Sequence, residues 1–330
     1  MDTHSKMLKH LHSMYGEQAT MTWSQFIQEV LYAPAIGYYT SKRLRVGKSE
    51  NSDFYTASSV GPLFGRLLID AFCSLLGTED PKNYTFVEIA VEAGNGVLKG
   101  LEHPFKETLE LPLGTELKIP PKAIVFANEW LDALPFERIV RGKNGWLMRY
   151  VVIDGESLSE TTIPLDTDFP WVQKLPKEAP EGYEIDIPYQ ACSALQKVIQ
   201  QPWEGLFCTF DYGLDWFDHC NARPSGTARG YRKHTLVTDL LNDLGETDIT
   251  CHIVWDWLKD ILTDNEFTSV DVLRQEPFFM HHSQKEIAEV IQNKPGSFTD
   301  DRAKLMELLH PNHMGAKFQV LSGIRLSQSR

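Results

Sequence analysis

The sequence predicts an α/β protein built on an open sheet with helices on both faces. Two observations carry this. Three short apolar runs, "YTFVEIA", "KAIVFAN" and "GLFCTFDYG", lack polar alternation, which is how strands buried on both faces read. Segments with helical spacing lie before, between and after them, so strands and helices alternate along the chain. With 330 residues, 42% of them hydrophobic, the chain can bury one large core or a core with a smaller partner.

The elements follow in order. Met7, Leu8, Leu11, Met14 and Tyr15 sit at helical spacing. Thr22 followed by Gln25 reads as a capping box for a helix whose apolar face is Phe26, Ile27, Val30 and Leu31. Pro34 and Gly37 stop it. "LRVGKSENSDFYTASSV" is polar and reads as a loop. Pro62 opens the next helix and Gly77 closes it. After the first two buried strands, "RIVRGKNGWLMRYVVI" reads as a hairpin turning at Lys143-Asn144-Gly145. Leu158 to Pro188, rich in Pro, Glu and Asp, reads as a surface excursion. "PYQACSALQKVIQQPW" is helical, and "DITCHIVWDWLKDILTD" reads as a helix capped by Asp248 or Thr250. "FTSVDVL" and "AKFQVLSGIR" close the chain as strands.

Composition excludes some functions. A net charge of −13 argues against a nucleic-acid phosphate track. No apolar run is long enough for a membrane span. Cys73, Cys192, Cys208, Cys220 and Cys251 form no C-x-x-C pair, so no zinc site of ordinary spacing is expected and no metal is assigned. Scattered thiols in odd number, and an N-terminus without the pattern of a signal or transit peptide, suggest a cytoplasmic protein.

Chemistry in such a sheet sits beyond the carboxyl ends of the strands. The first buried strand carries Glu88 and runs to Gly94, Asn95 and Gly96. Glycines there admit close approach of a ligand or simply make a tight turn. The second ends in "NEWLDALP". Its polar Asn128, Glu129 and Asp132 are costly if buried alone and suit a wet cleft. If a helix starts after Asn128, the two acids share its face. They then either grip a planar cation such as guanidinium or serve as ordinary N-terminal helix charge. "GTARGYRKH" is a local basic stretch that binds an anion or pairs with neighbouring acids. The cluster Asp211, Asp215, Asp218 and His219 matches no metal loop.

These stretches together resemble the MidA-like group of class I S-adenosylmethionine-dependent methyltransferases, which includes a mitochondrial complex I assembly arginine methyltransferase. "LYAPAIGYYTSK", "DFYTASSVGPLFGRLL", "NEWLDALPFERIV", "DYG", "GTARGYRKH", "DITCHIVWDWL" and "HPNHMGAKFQVL" resemble its signatures in the family's order. The resemblance implies a Rossmann-like methyltransferase core over 81–330, with insertions near 138–190 and 214–250. It also implies a helical segment over 1–80 that caps the substrate side. In the implied site, Glu88, Gly94, Asn95 and Gly96 approach S-adenosyl-L-methionine, and Asn128 lies near its methyl group. Glu129 and Asp132 orient a guanidinium on a protein substrate, and Asp53 and Tyr55 close the cleft.

The sequence departs from the family in the opening loop. Members read E-x-G-x-G-x-G-x-L, whereas this chain reads "EIAVEAGNGVL". Ala90 stands at the first glycine and Glu92 is inserted. The segment before "KAIVFAN" is too short for the usual helix, strand and helix, so at least one helix is expected to be missing. The resemblance implies an acid after the second strand that holds the ribose; Glu107, Glu110 and Glu116 are the nearby candidates, and Glu110 is the one chosen. Three functions follow: a working methyltransferase, a non-catalytic binding or assembly relative that has lost the cofactor, and a dinucleotide binder using "GNGVLKG".

Overall fold

The computed structural model describes residues 2–41, 61–92, 94–233, 235–292 and 300–326. Its contacts divide the chain into two interleaved units. One comprises the described residues of Met1–Phe54, Leu131–Ser193 and Leu214–Val254, and the other those of Tyr55–Trp130, Ala194–Gly213 and Trp255–Arg330. The division therefore does not follow the expected 1–80 and 81–330 boundaries. The two insertions expected in the core fold with the N-terminal segment, while the helix Pro62–Leu76 belongs to the sheet unit.

The sheet unit is the α/β core. Its strands are β1 (Thr85–Val91), β2 (Glu107–Pro112), β3 (Lys122–Asn128), β4 (Glu204–Asp211), β5 (Thr268–Arg274) and β6 (Gln319–Arg325). They lie in the order β5-β6-β4-β3-β1-β2. The pairs β1–β2, β1–β3 and β3–β4 are parallel, and β6 runs antiparallel to both β4 and β5. The three runs that predicted the sheet are thus its central strands, buried because helices cover them.

The helix Pro62–Leu76 shows how that cover forms. Pro62 supplies a fixed φ where no amide partner is needed, and Gly77 ends the helix at φ +64. Phe64 packs on Phe126, Phe210 and Phe279 at ring separations of 6.5, 5.6 and 5.9 Å. Phe72 continues the contact onto Phe86 and Phe126 at 6.0 and 5.8 Å. Such offset and edge contacts add to burial and fix the helix on the sheet.

The second unit is largely antiparallel. Gln18–Thr22, Gly145–Asp154, Glu137–Gly142 and Glu184–Ile187 form a sheet in that order, with Ser157–Pro164 also paired to Gly145–Asp154. The hairpin turns at Gly142–Gly145, as the sequence suggests. Thr22 caps the helix Trp23–Tyr32 with both bonds of the capping box. Phe26, Ile27, Val30 and Leu31 are buried with Met7, Leu8 and Leu11, while Met14 is exposed.

Two segments fold differently from their sequence pattern. Leu158–Pro188 is not only an excursion: it completes one strand and contains Glu184–Ile187, whose Ile185, Asp186 and Ile187 are buried. The helix expected over "DITCHIVWDWLKDILTD" begins only at Trp255. Asp248–Thr250 and Ile253–Val254 are extended, and Ile249, Cys251 and Ile253 alternate as buried residues of period two.

A buried ion network holds the second unit together. Arg138 donates to Glu184 at 2.9 Å and Asp186 at 3.2 Å, and its guanidinium lies 4.9 Å over the Trp23 ring. Asp186 also accepts the amides of Thr227 and Ala228 at 2.5 and 2.7 Å. Arg232 pairs with Asp243 and Glu246 at 2.7 and 2.5 Å. The stretch "GTARGYRKH" therefore serves neighbouring acids at these positions. Asp215 caps the helix Trp216–Asn221, and His219 lies buried at 2.6 Å from the Asp186 carbonyl.

Candidate functional site

In the sheet unit the chain leaves β1 for β2 on one flank, then crosses back to β3 on the other. The carboxyl ends of β1 and β3 therefore flank a topological switch point, the place where open α/β sheets bind ligands. Glu88, Gly94, Gly96 and Glu110 meet at this corner, and Asn128 and Glu129 lie at the end of β3.

Glu88 in β1 stands opposite Glu110 in β2, so their side chains share one face. Glu88 Oε2 accepts the Val97 amide at 2.9 Å, and Glu110 Oε2 accepts the Gly94 amide at 3.1 Å. Lys99 Nζ donates to the Gly94 carbonyl, and the Asn95 amide donates to the Glu92 carbonyl at 2.8 Å. A Cβ on Gly96 would sit 2.5 Å from Glu110 Oε1 and 3.1 Å from Glu88 Oε2. Gly96 is thus kept bare by the chain's own carboxylates. Burial pushes the Glu88 carboxyl up to about 7; the Val97 amide opposes this and the Glu110 charge adds to it.

Ala90 stands where the family's first glycine is expected, and its φ is +59°. The β1–β2 register also breaks between Ile89 and Val91. The backbone keeps a left-handed turn that glycine serves without strain, at a cost of about 1–2 kcal/mol for alanine. The expected loss of a helix is also seen. Among the described residues, Glu92–Lys106 and Leu113–Pro121 contain turns and no helix. The dinucleotide reading fails on the same fact, because "GNGVLKG" leads into no helix whose N-terminus could meet a pyrophosphate.

At the end of β3, Asn128 Nδ2 donates to Glu129 Oε1 at 2.9 Å, and Asn128 Oδ1 is buried without a partner among the described residues. The Glu129 amide donates to the Phe210 carbonyl at 2.8 Å. Glu129 has φ +50°, so the chain leaves the strand through a left-handed residue and turns instead of starting a helix. The expectation that Glu129 and Asp132 share a helix face is therefore wrong.

Asp132 belongs to the other unit. There it is buried, and its charge acts on Tyr32 and Tyr39, whose rings stack at 5.5 Å. Tyr39 donates to Asp248 Oδ1 at 2.5 Å, and Tyr32 to the Ala133 carbonyl at 2.9 Å. Burial first, then the Asp248 charge, pushes both phenols up. Sequence reading does not bring Tyr32, Tyr39 and Asp248 together: it takes Asp248 for a helix cap, whereas Asp248 lies in a strand. The one signal is the tyrosines within "LYAPAIGYYTSK", a stretch that the sequence offers as a family-like signature. Asp53 and Tyr55, expected to close the cleft, lie outside the described residues.

An α/β sheet with a glycine turn at its switch point defines a Rossmann-like fold. The chain belongs to a family of S-adenosyl-L-methionine-dependent methyltransferases, whose model matches residues 97–272. That match begins at Val97, one residue past the altered glycine corner. The chain is similar to the mitochondrial protein arginine methyltransferase NDUFAF7 of Xenopus laevis, with 21% identity covering 96% of this chain and 84% of the relative. The Bos taurus protein of that name is 23% identical over 97% of this chain and 84% of its own. Among solved structures, a COG1565 superfamily member from Burkholderia thailandensis bound to S-adenosyl-homocysteine superposes with a TM-score of 0.84. It is 22% identical, with 98% of this chain and 92% of that one covered, so it shares the fold.

Among the described residues, the hollow beside Gly96 is not itself a nucleoside pocket. The hollow lined by Glu88, Gly96, Lys99 and Glu110 has a volume of about 30 Å³. That is roughly the share of one water, whereas pockets for nucleoside-sized ligands span about 300–1,000 Å³. The Gly94 and Val97 amides are bonded to Glu110 and Glu88, which steadies the loop.

Proposed function

We propose that this methyltransferase acts on a protein, at the guanidinium of an arginine. The observation that carries the reading is the end of β3. Glu129 is held there in a left-handed conformation beside a partly buried Asn128, at the switch point of the sheet. A carboxylate pinned beyond a strand end can take a guanidinium through two parallel N–H···O bonds. The names of the relatives in Xenopus laevis and Bos taurus agree with that acceptor. The five cysteines are all free, which suits a reducing compartment such as the cytoplasm.

The test is transfer of labelled methyl groups from S-adenosylmethionine to a protein extract, followed by acid hydrolysis and chromatography for methylarginine. Glu129→Gln should lower incorporation about 10- to 100-fold, the worth of a charge-assisted bond. It should leave affinity for S-adenosylhomocysteine within about threefold. Equal loss of both would remove Glu129 from the acceptor side.

The closed corner favours a second reading, a relative that binds or assembles proteins without methyl transfer. In that case calorimetric titration gives no heat with S-adenosylhomocysteine at millimolar concentration, and no methylated amino acid accumulates.

A further inference from the structure

We propose that the second unit carries an oxyanion site: Arg223, Arg229 and His252 take a phosphate group, free or esterified to a small molecule. The inference rests on neither the family's cofactor nor the arginine acceptor.

Strand register brings the donors together. Arg229 pairs with Thr250 across the antiparallel strands Arg229–Arg232 and Asp248–Thr250. Just beyond them the His252 amide donates to Thr227 Oγ1 at 3.2 Å. Residues two apart in an extended chain share a face, so Arg229 and His252 are diagonal neighbours on one face, within reach of a long side chain. Ala228, Ile249 and Cys251 take the opposite face into the core. The Gly226 amide donates to the Arg223 carbonyl at 3.0 Å, and this turn brings Arg223 to the Thr227 end of the same ribbon.

Charge and hydrogen bonding point to an anion. Arg232 in the same strand is paired with Asp243 and Glu246, whereas among the described residues neither Arg223 nor Arg229 makes an ion pair. Asp186, whose charge reaches His219, is already bonded to Arg138 and to the Thr227 and Ala228 amides. Burial first, then Arg229, His219 and Arg223, pushes the His252 imidazole down to about 3. The ring is therefore neutral and offers one N–H beside two fixed charges. Its Nδ1 is buried without a partner among the described residues. So is Nδ1 of the neighbouring His219, a residue 1% exposed whose Nε2 donates to the Asp186 carbonyl at 2.6 Å. Buried polar atoms of this kind are rare and mark places built for a partner. In a chain of net charge −13 the cluster is a local reversal of sign. A phosphate dianion offsets both guanidiniums, each of which can hold two oxygens through parallel N–H···O bonds, whereas a single carboxylate offsets one.

The experiment is calorimetric titration of the full chain with inorganic phosphate, glycerol 3-phosphate and acetate at fixed pH and ionic strength. The expected result is a Kd of roughly 0.1–1 mM for the phosphates and binding of acetate at least about tenfold weaker. Tighter binding of inorganic phosphate assigns the site to the free ion, and tighter binding of glycerol 3-phosphate assigns it to the ester. Arg223→Gln and Arg229→Gln should each weaken phosphate binding about tenfold or more. Arg229→Lys should weaken it about three- to tenfold, because an ammonium keeps the charge and loses the fork. Arg141→Gln is the control: that guanidinium lies 5.7 Å over the Trp146 ring in the same unit, and the variant should bind as the native protein does. If an arginine variant does not fold, NMR of the His252 ring protons in the native protein decides, a saturable shift with added phosphate supporting the site and no shift overturning it. No heat with any of the three anions, acetate bound as tightly as phosphate, or phosphate affinity unchanged in both Arg223→Gln and Arg229→Gln overturns the site.

Discussion

Replacing Glu88 with Gln should change how stability depends on pH, and the structure sets the size of the effect. Glu88 is 6% exposed, and its carboxyl is raised from 4.5 to about 7, first by burial and further by the Glu110 charge. An acid raised in the folded state binds its proton more tightly there than in the unfolded chain. Its contribution is therefore fully present below pH 4.5 and is lost as pH climbs toward 7. Two and a half units correspond to about 3 kcal/mol. Glutamine imitates the protonated acid: its carbonyl accepts the Val97 amide, and its NH₂ can face Glu110. The stability difference, Glu88→Gln minus native, should be flat below pH 4.5, rise by about 3 kcal/mol up to pH 7, and be flat above. Urea denaturation followed by circular dichroism across pH 4 to 8 measures it. Taking the difference removes the other titrating groups, including Glu137, which is raised to about 7 by burial in the other unit. A difference that does not vary with pH, or that falls as pH rises, would show that Glu88 is ionised in the folded protein and that the corner is wet.

Two further expectations concern backbone strain and the buried ions. Ala90→Gly should raise stability by about 1 kcal/mol, because glycine accepts φ +59° without a Cβ penalty, and a lowered urea midpoint would contradict that. Asp186→Ala should destabilise the protein by about 3–5 kcal/mol, since it strips Arg138 of a partner and orphans two amides at 2.5 and 2.7 Å. A loss below about 1 kcal/mol in thermal denaturation would mean that water replaces the carboxylate.

The sheet was legible because its central strands have no other reading. "KAIVFAN" has five consecutive buried residues and no helical polar face. Local chemistry was legible too: Thr22 and Gln25 form their capping box because both bonds are made within one turn. Elements whose pattern is masked by composition were not legible. Ser157–Pro164 is almost wholly exposed, so it carries no apolar signal. Glu184–Ile187 alternates acids with isoleucines, and its Asp186 is buried only because distant Thr227, Ala228 and Arg138 satisfy it. Such partners lie far along the chain and cannot be read locally. The same limit applies to the site. Gly94 and Gly96 were legible as a turn, but Glu110 as their own ligand required knowing that β2 pairs with β1 in a register that sets Glu110 against Glu88.

The glycine corner keeps left-handed backbone at a residue other than glycine. Left-handed residues other than glycine cost about 1–3 kcal/mol each and persist only where their surroundings insist on them. Ala90 and Glu129 are both of this kind, and they sit at the ends of the two strands that flank the switch point. Here the left-handed turn is kept, and Glu110 and Glu88 hold the loop by accepting the Gly94 and Val97 amides. What departs from the family's pattern is Ala90 at the first glycine and the inserted Glu92, whereas Glu88 matches the pattern's leading acid and Ala90 keeps a left-handed turn.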